Sequence, residues 1–389
     1  MDRTPGCRAK LERMNRTLHH EESDRVPVSD FFWGSFIERW RKELGLPPDA
    51  DIYRHYDLDW IVTVPNMDPH IKQFEIMEET DEHVIVRTGF EAVIRKKFRD
   101  PMPAFLNFET DTIEKMAAFE FDDPWDERRM FREGDNQLAG VGDGFVRNSP
   151  PWIETVKTLY PDYPVYVSVC EGHETLWRII GSGNALLWIG LYPDEIARFV
   201  DRIIEFSVEL TKAQIAAAKG LLAGMVIWGD VAYKKDMLFS PDFWRKHFKP
   251  GVRAIVDICH DHRLPVIYHG CGNVSRIFGD FIEIGVDAYN PLEAKAGLDV
   301  VELRKKYGHR IGFCGNMDVI DWAHAPLGEL KKIVLRKLNA AKGGGYIFQS
   351  DHSVPGNVSG ERYEYVVNLV REYGRYPLNL GEEDIPELG

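Results

Sequence analysis

Pro265-Val266-Ile267-Tyr268-His269-Gly270-Cys271 is a short β-rich run that stops at reactive polar side chains, and runs of the same kind flank it on both sides. Upstream, Val165-Tyr166-Val167-Ser168-Val169 ends at Glu171, and Gly224-Met225-Val226-Ile227-Trp228 ends at Asp230. Downstream, Val286-Asp287-Ala288-Tyr289 leads to Glu293, Arg310-Ile311-Gly312-Phe313 to Cys314, and Tyr346-Ile347-Phe348-Gln349 to Asp351 and His352. Helical stretches lie between them. Over 194–218, Ile196, Phe199, Val200, Ile203, Phe206 and Leu210 recur at three- and four-residue spacing, which is one apolar helix face. Strands alternating with helices imply parallel strands joined by crossover helices. Two earlier runs, 26–30 and 58–62, bring the strands to eight. The expectation is an α/β fold: a (β/α)8 TIM-type barrel with N-terminal helices, one domain over 1–389.

Residues 72–98 break the rhythm. FEIMEE and HVIVRTGFEAVIRKK alternate apolar and polar residues about Thr80-Asp81-Glu82, as an antiparallel hairpin does, so a β-hairpin insertion beside the barrel mouth is expected. No repeat of solenoid period interrupts the chain.

A length of 389 residues suits one large barrel with insertions, and the absence of Gly/Ser-rich or Pro-rich tracts implies order nearly throughout. The net charge of −14 and the lack of a basic stripe argue against a nucleic-acid partner, which would need clustered Lys and Arg. The N-terminus is charged and no stretch of about 18 apolar residues occurs, so a cytoplasmic protein without a membrane partner is expected. Five cysteines without regular spacing do not make a disulfide framework in a chain of this size.

In such a barrel the reactive groups sit where strands end, which selects Asp30, Glu171, His173, Asp230, His269, Cys271, Glu293, Cys314, Asp351 and His352. His269 and Cys271, alternate residues beyond one strand, can aim into one cavity while Gly270 lets the backbone bend. Glu293, at the end of the neighbouring strand, would join them, and the set is of zinc type. A fourth position falls to Cys314, to the Ser350-Asp351-His352 segment, or to water or substrate. Each has a plainer reading. A histidine after a strand is more often a hydrogen-bonding residue than a ligand, Cys314 can be a small buried hydrophobe, and Cys170 and Cys259 read as core. Phe31, Phe32, Trp33 and Phe36 are either packing of an N-terminal element or the wall of a substrate pocket. Asp30, Phe31, Trp33, Phe36, Glu171 and Tyr268 are taken as the substrate-binding candidates.

YHGCGNV, GVDAYNP, IGFCGNMD, GGGYIFQSDHSVP and EYGRYP, spread over 264–377, together with the opening Asp24-Arg25-Val26-Pro27-Val28, make this chain resemble the uroporphyrinogen decarboxylase superfamily. The resemblance implies a distorted (β/α)8 barrel. That superfamily holds metal-free decarboxylases and zinc-dependent methyltransferases that work with a corrinoid protein. The arginine-bearing M-R-Q-A-G-R run of the decarboxylases is replaced here by Ser29-Asp30-Phe31-Phe32-Trp33-Gly34, which removes the anchors for porphyrinogen propionates. His269 and Cys271 match the His-x-Cys of the methyltransferases, with Glu293 near their glutamate. Their further cysteine falls where this chain has Ser350-Asp351-His352. Fewer thiolates make a harder Lewis acid, better suited to an ether oxygen than to a thiol. The resemblance therefore implies a corrinoid-dependent methyltransferase component with bound zinc. Its substrate is a small methoxylated, aromatic compound and its partner a corrinoid protein, with Asp230 or His352 handling the proton. The alternative is a metal-free decarboxylase of a non-porphyrin aromatic acid. A homodimer is a further expectation.

Overall fold

The computed structural model describes residues 2–71, 75–98, 100, 102–130 and 151–388, so 72–74 of the expected hairpin lie outside it. Seven strands form one curled parallel sheet in the order β1 (Ile61–Thr63), β6 (Val165–Cys170), β7 (Gly224–Trp228), β8 (Val266–His269), β9 (Ala288–Asn290), β10 (Gly312–Met317) and β11 (Tyr346–Ser350). Helices such as Pro193–Ala218 and Lys249–Asp261 link these strands and cover the sheet's outer face.

The expected strand over 26–30 is not formed, which corrects the eight-stranded reading. Val28 and Phe32 make only isolated parallel bridges, to Phe348 and Val354. Pro27 has no N–H to donate, so a continuous ladder fails there. The segment still bonds on both sides: Phe348 N–H donates to the Pro27 carbonyl and Asp59 N–H to that of Val28. It thus lies between β11 and the residues that enter β1. A buried carboxylate fixes it there. Asp59 accepts from Arg13 Nη1, from Arg25 Nη1 at 2.7 Å and Nη2 at 3.0 Å, and from Val28 N–H at 2.7 Å. The segment after the helix Gly360–Tyr373 comes back to the same place, where Val26 N–H donates to Gly374 O and Tyr376 N–H to Asp24 O.

Successive side chains of a strand point to opposite faces. Val226, Ile267, Ala288, Cys314 and Ile347 pack together with Trp60 and Tyr166 inside the curl, whereas Met225, Ile227, Val266, Tyr268, Tyr289 and Phe313 join the larger core under the helices. His269, two residues after Ile267, is therefore on the inner face.

The insertion is larger than a hairpin. β2 (Glu75–Glu79), β3 (His83–Arg87), β4 (Ala92–Lys97) and β5 (Ala104–Phe108) form a four-stranded antiparallel sheet, because the chain turns back once more after β4 and pairs Ala92–Arg95 with 104–108. Val84, Val86, Ala92 and Ile94 give it a small core of its own. It leans on the helix Gly172–Ile180, with Phe105 and Trp177 in edge contact at 5.3 Å. Phe108 lies over Gly181, where a Cβ would come within 2.9 Å of the ring. Among the described residues no helix is long and apolar enough to cross a membrane.

Candidate active site and metal centre

Asp230, His269 and Cys271 converge at the carboxyl ends of β7 and β8, with one ligand atom of each within 4.8 Å of the others. They open on a cavity of about 390 Å³ that is also lined by Trp33, Trp177, Trp228, Glu174, Arg178 and His352. Cys271 Sγ lies 3.9 Å from His269 Nε2, and Cys271 N–H donates to Asp230 Oδ1 at 2.8 Å. The turn after Cys271 needs glycine: Gly272 has φ +84, and a Cβ there would come within 2.6 Å of the Ala232 backbone. Its N–H donates to Glu293 Oε2 at 2.8 Å, which places the Glu293 carboxylate beside the Cys271 turn but outside the three-residue group.

Burial dominates the electrostatics. It pushes the Cys271 thiol up, and the Asp230 and Glu293 carboxylates push the same way. Burial also raises Asp230, helped by Glu174, and lowers His269 against the pull of Asp230. Left alone, the three groups are driven toward their neutral forms. A divalent cation among them would reverse this for the acid and the thiol, since it stabilises the carboxylate and the thiolate. The donor set, one oxygen, one nitrogen and one sulfur, fits zinc.

The structure separates the sequence candidates. Trp33, Asp230, His269, Cys271 and His352 line the cavity. Phe31 stands behind it, 5.7 Å from the Trp228 ring and 6.1 Å from that of His269. Phe36 is packed in the core against Phe32 and Tyr363, and Tyr268 faces the helix layer against Phe281 with its hydroxyl donating to Gly229 O, so neither reaches the cavity. Asp30 accepts from Ser350 N–H and Oγ and from Tyr363, and Asp351 accepts from Val319 and Ala294 N–H; both carboxylates tie backbone segments together. Cys314 is fully buried behind His269, bonded to Gln349 and Asn290, and does not point at the Cys271 thiol's side of the ring.

Glu174, Trp177 and Arg178 were not anticipated. They occupy the i, i+3 and i+4 positions of the helix Gly172–Ile180, one face that turns to the cavity. Burial opposes ionisation of Glu174, but Arg178 at 2.9 Å and the Trp177 indole N–H at 3.0 Å outweigh it and hold the carboxyl below its usual range.

Glu171 caps that helix through His173 N–H at 2.9 Å and Glu174 N–H at 3.3 Å, and its Oε2 has no partner among the described residues. Burial pushes Glu171 up to about 8, Asp30 to about 7 and Asp351 to about 6. Each folded-state value is raised, so from about pH 4 up to its own folded value each group keeps in the native chain a proton that the unfolded chain has released. The stability each group contributes is fully present below about pH 4 and is lost as pH rises toward its folded value, at about 1.4 kcal/mol per pH unit within that group's window. Glu171→Gln keeps an oxygen for the cap and removes the proton. Urea unfolding of this variant is expected to depend less steeply on pH over that window than the parent's; identical slopes would refute the assignment.

Residues 153–373 match the family described as Uroporphyrinogen decarboxylase (URO-D). Among curated proteins, the uroporphyrinogen decarboxylase of Pelobacter propionicus is 26% identical over 190 residues, 47% of this chain and 51% of that protein. That of Actinobacillus succinogenes is 23% identical over 188 residues, 47% of this chain and 50% of that protein. The alignments thus span about half the length of these relatives. Among solved structures, a methyltransferase from Methanosarcina mazei superposes over 94% of this chain and 98% of its own, with a TM-score of 0.61 and 16% identity, which is a likeness of fold.

Proposed function

This chain belongs to the uroporphyrinogen decarboxylase family, and within it we propose a methyltransferase component that demethylates a small methoxylated aromatic compound and passes the methyl group to a corrinoid protein. The observation that carries the reading is the convergence of Asp230, His269 and Cys271 in an indole-walled cavity. These three residues would hold zinc, which supplies Lewis-acid polarisation of an ether oxygen. Glu293, beyond β9 and tied to Gly272 N–H, holds its carboxylate beside the Cys271 turn as a further donor.

The remaining side chains bind and orient. Trp33, Trp177 and Trp228 offer flat apolar walls to an aromatic ring and keep water away. His352, on the same wall, would in its charged form give a proton to the departing oxygen. Asp230, expected as a proton carrier, is assigned here to the donor set. Among the described residues the cavity's thiol beside a base, Cys271 next to His269 Nε2, is assigned here to the metal donor set, so the attacking partner is inferred to be a reduced corrinoid, brought by a second protein over the mouth. The resemblance in fold to a methyltransferase supports this reading.

A second reading draws on burial, which raises Asp230 and so favours its acid form: metal-free decarboxylation of an aromatic acid, with Asp230 protonating the carbanion. Arg178 is the one arginine lining the cavity among the described residues, and Glu174 already pairs with it, so a porphyrinogen's many carboxylates find no set of anchors. The test is a methyl-transfer assay on untagged protein, with metal analysis of the same sample. Zinc near one per chain, methyl release only with a reduced corrinoid protein present, and no decarboxylation of uroporphyrinogen are expected. Methyl release without corrinoid, or a metal-free protein of full activity, would overturn the proposal.

A further inference from the structure

His269 is held from behind by a buried polar chain that crosses β9, β10 and β11. Its Nδ1 lies 2.5 Å from Asn290 Oδ1, on the neighbouring strand, where the two residues are direct register partners. Asn290 Nδ2 faces acceptors only: the Cys314 carbonyl at 3.2 Å, Cys314 Sγ at 3.3 Å and Gln349 Oε1 at 3.2 Å. The Cys314 thiol in turn donates to Gln349 Oε1 at 2.9 Å. All three residues are at most 1% exposed, so water does not compete for these bonds.

The orientation of the Asn290 amide follows. The Cys314 carbonyl can only accept, so the NH2 must face it and the oxygen must face His269, where it too can only accept. Nδ1 of His269 therefore carries the hydrogen. In the neutral ring that binds a metal, Nε2 is then the bare lone pair, on the side of Cys271 Sγ. The indole of Trp228, in edge contact at 4.7 Å, stops the ring from turning over.

We propose that Asn290, keyed by Gln349 and Cys314, is a positioning residue that fixes His269 as the Nδ1–H tautomer and so presents Nε2 to the metal-binding group. This rests on the metal reading above for its purpose, though not for its geometry. It also gives Cys314 and Gln349 a role away from the ligand set. The groups beyond a ligating histidine typically set metal affinity by about 10- to 100-fold.

Two measurements test it. In metal-free parent protein labelled with 15N-histidine, with the His269 signals identified by their loss in His269→Gln, His269 should show Nδ1–H and a bare Nε2. An Nε2–H signal would overturn the proposal whether or not zinc binds. Chelator competition for zinc and the visible spectrum of the Co(II)-loaded protein then compare variants. Asn290→Leu should weaken binding 10- to 100-fold, while Asn290→Asp, which still accepts from Nδ1–H once Gln349 turns its amide, should recover most of it. Parental affinity in Asn290→Leu, or equal loss in both variants, would refute the role. A parent that shows the expected tautomer but binds no zinc would sink the metal reading and leave the tautomer assignment standing.

Discussion

Cys271→Ser is expected to lower zinc affinity by about three orders of magnitude and to remove methyl transfer with it. Burial already holds the Cys271 thiol far above its ordinary range, so only an adjacent cation keeps it as a thiolate, and a serine hydroxyl gains much less from the same cation. The loss should exceed that of Asn290→Leu, because a donor atom is removed and not merely its support. Two controls separate the thiols. Cys259 is buried in the helix Lys249–Asp261, and Cys259→Ser should leave metal content unchanged. Cys314→Ser keeps a donor for Gln349 and should shift affinity only a few-fold. Metal analysis and chelator competition on the four proteins decide the matter. Parental zinc content in Cys271→Ser would remove the basis of the site, and a collapse in Cys314→Ser would make that thiol a ligand after all.

The second large effect concerns folding. Asp59→Ala should cost about 3–5 kcal/mol in chemical denaturation, the scale for removing one partner of a buried ion pair. Asp59 is fully buried, and its loss leaves the guanidiniums of Arg13 and Arg25, themselves 7% and 14% exposed, without their shared counter-charge. Val28 N–H loses its acceptor as well. Asp24 also pairs with Arg13 but is 63% exposed, and Asp24→Ala should cost under about 1 kcal/mol. Similar losses in the two variants would show that the buried clasp has no special weight.

The strand-end rule located Asp230, His269, Cys271 and His352 because a parallel sheet brings all its carboxyl ends to one mouth, and the aromatic run added Trp33. The same periodicity, applied one residue further, would have excluded Tyr268: adjacent to His269, it must face the other way. It would also have found Trp228, two residues after the inward-facing Val226. Glu174, Trp177 and Arg178 left only a weak trace, since acid, indole and guanidinium at helical spacing read equally well as a solvated face. The failure at 26–30 has a different source. The residues favour an extended chain, and they are extended, but Pro27 cannot donate to a ladder, so hydrophobic pattern alone overstates the strand. Asn290 and Gln349 were silent because nothing in a sequence says which neighbours a buried amide will meet.

The clasp between the chain's two ends bears on when this protein becomes whole during its synthesis. Trp33, one wall of the cavity, is seated by its N–H donating to Val354 O, and the segment before it by contacts with Phe348 and Gly374. A ribosome making the chain has therefore finished the metal-binding residues of β7 and β8 well before it supplies the partners that seat the first wall. Until residues 354–374 have left the exit tunnel, the nascent chain must carry Phe32 without Tyr363 and Trp33 without Val354, a long-range closure that slows folding and marks this aromatic segment as a place for a chaperone to hold.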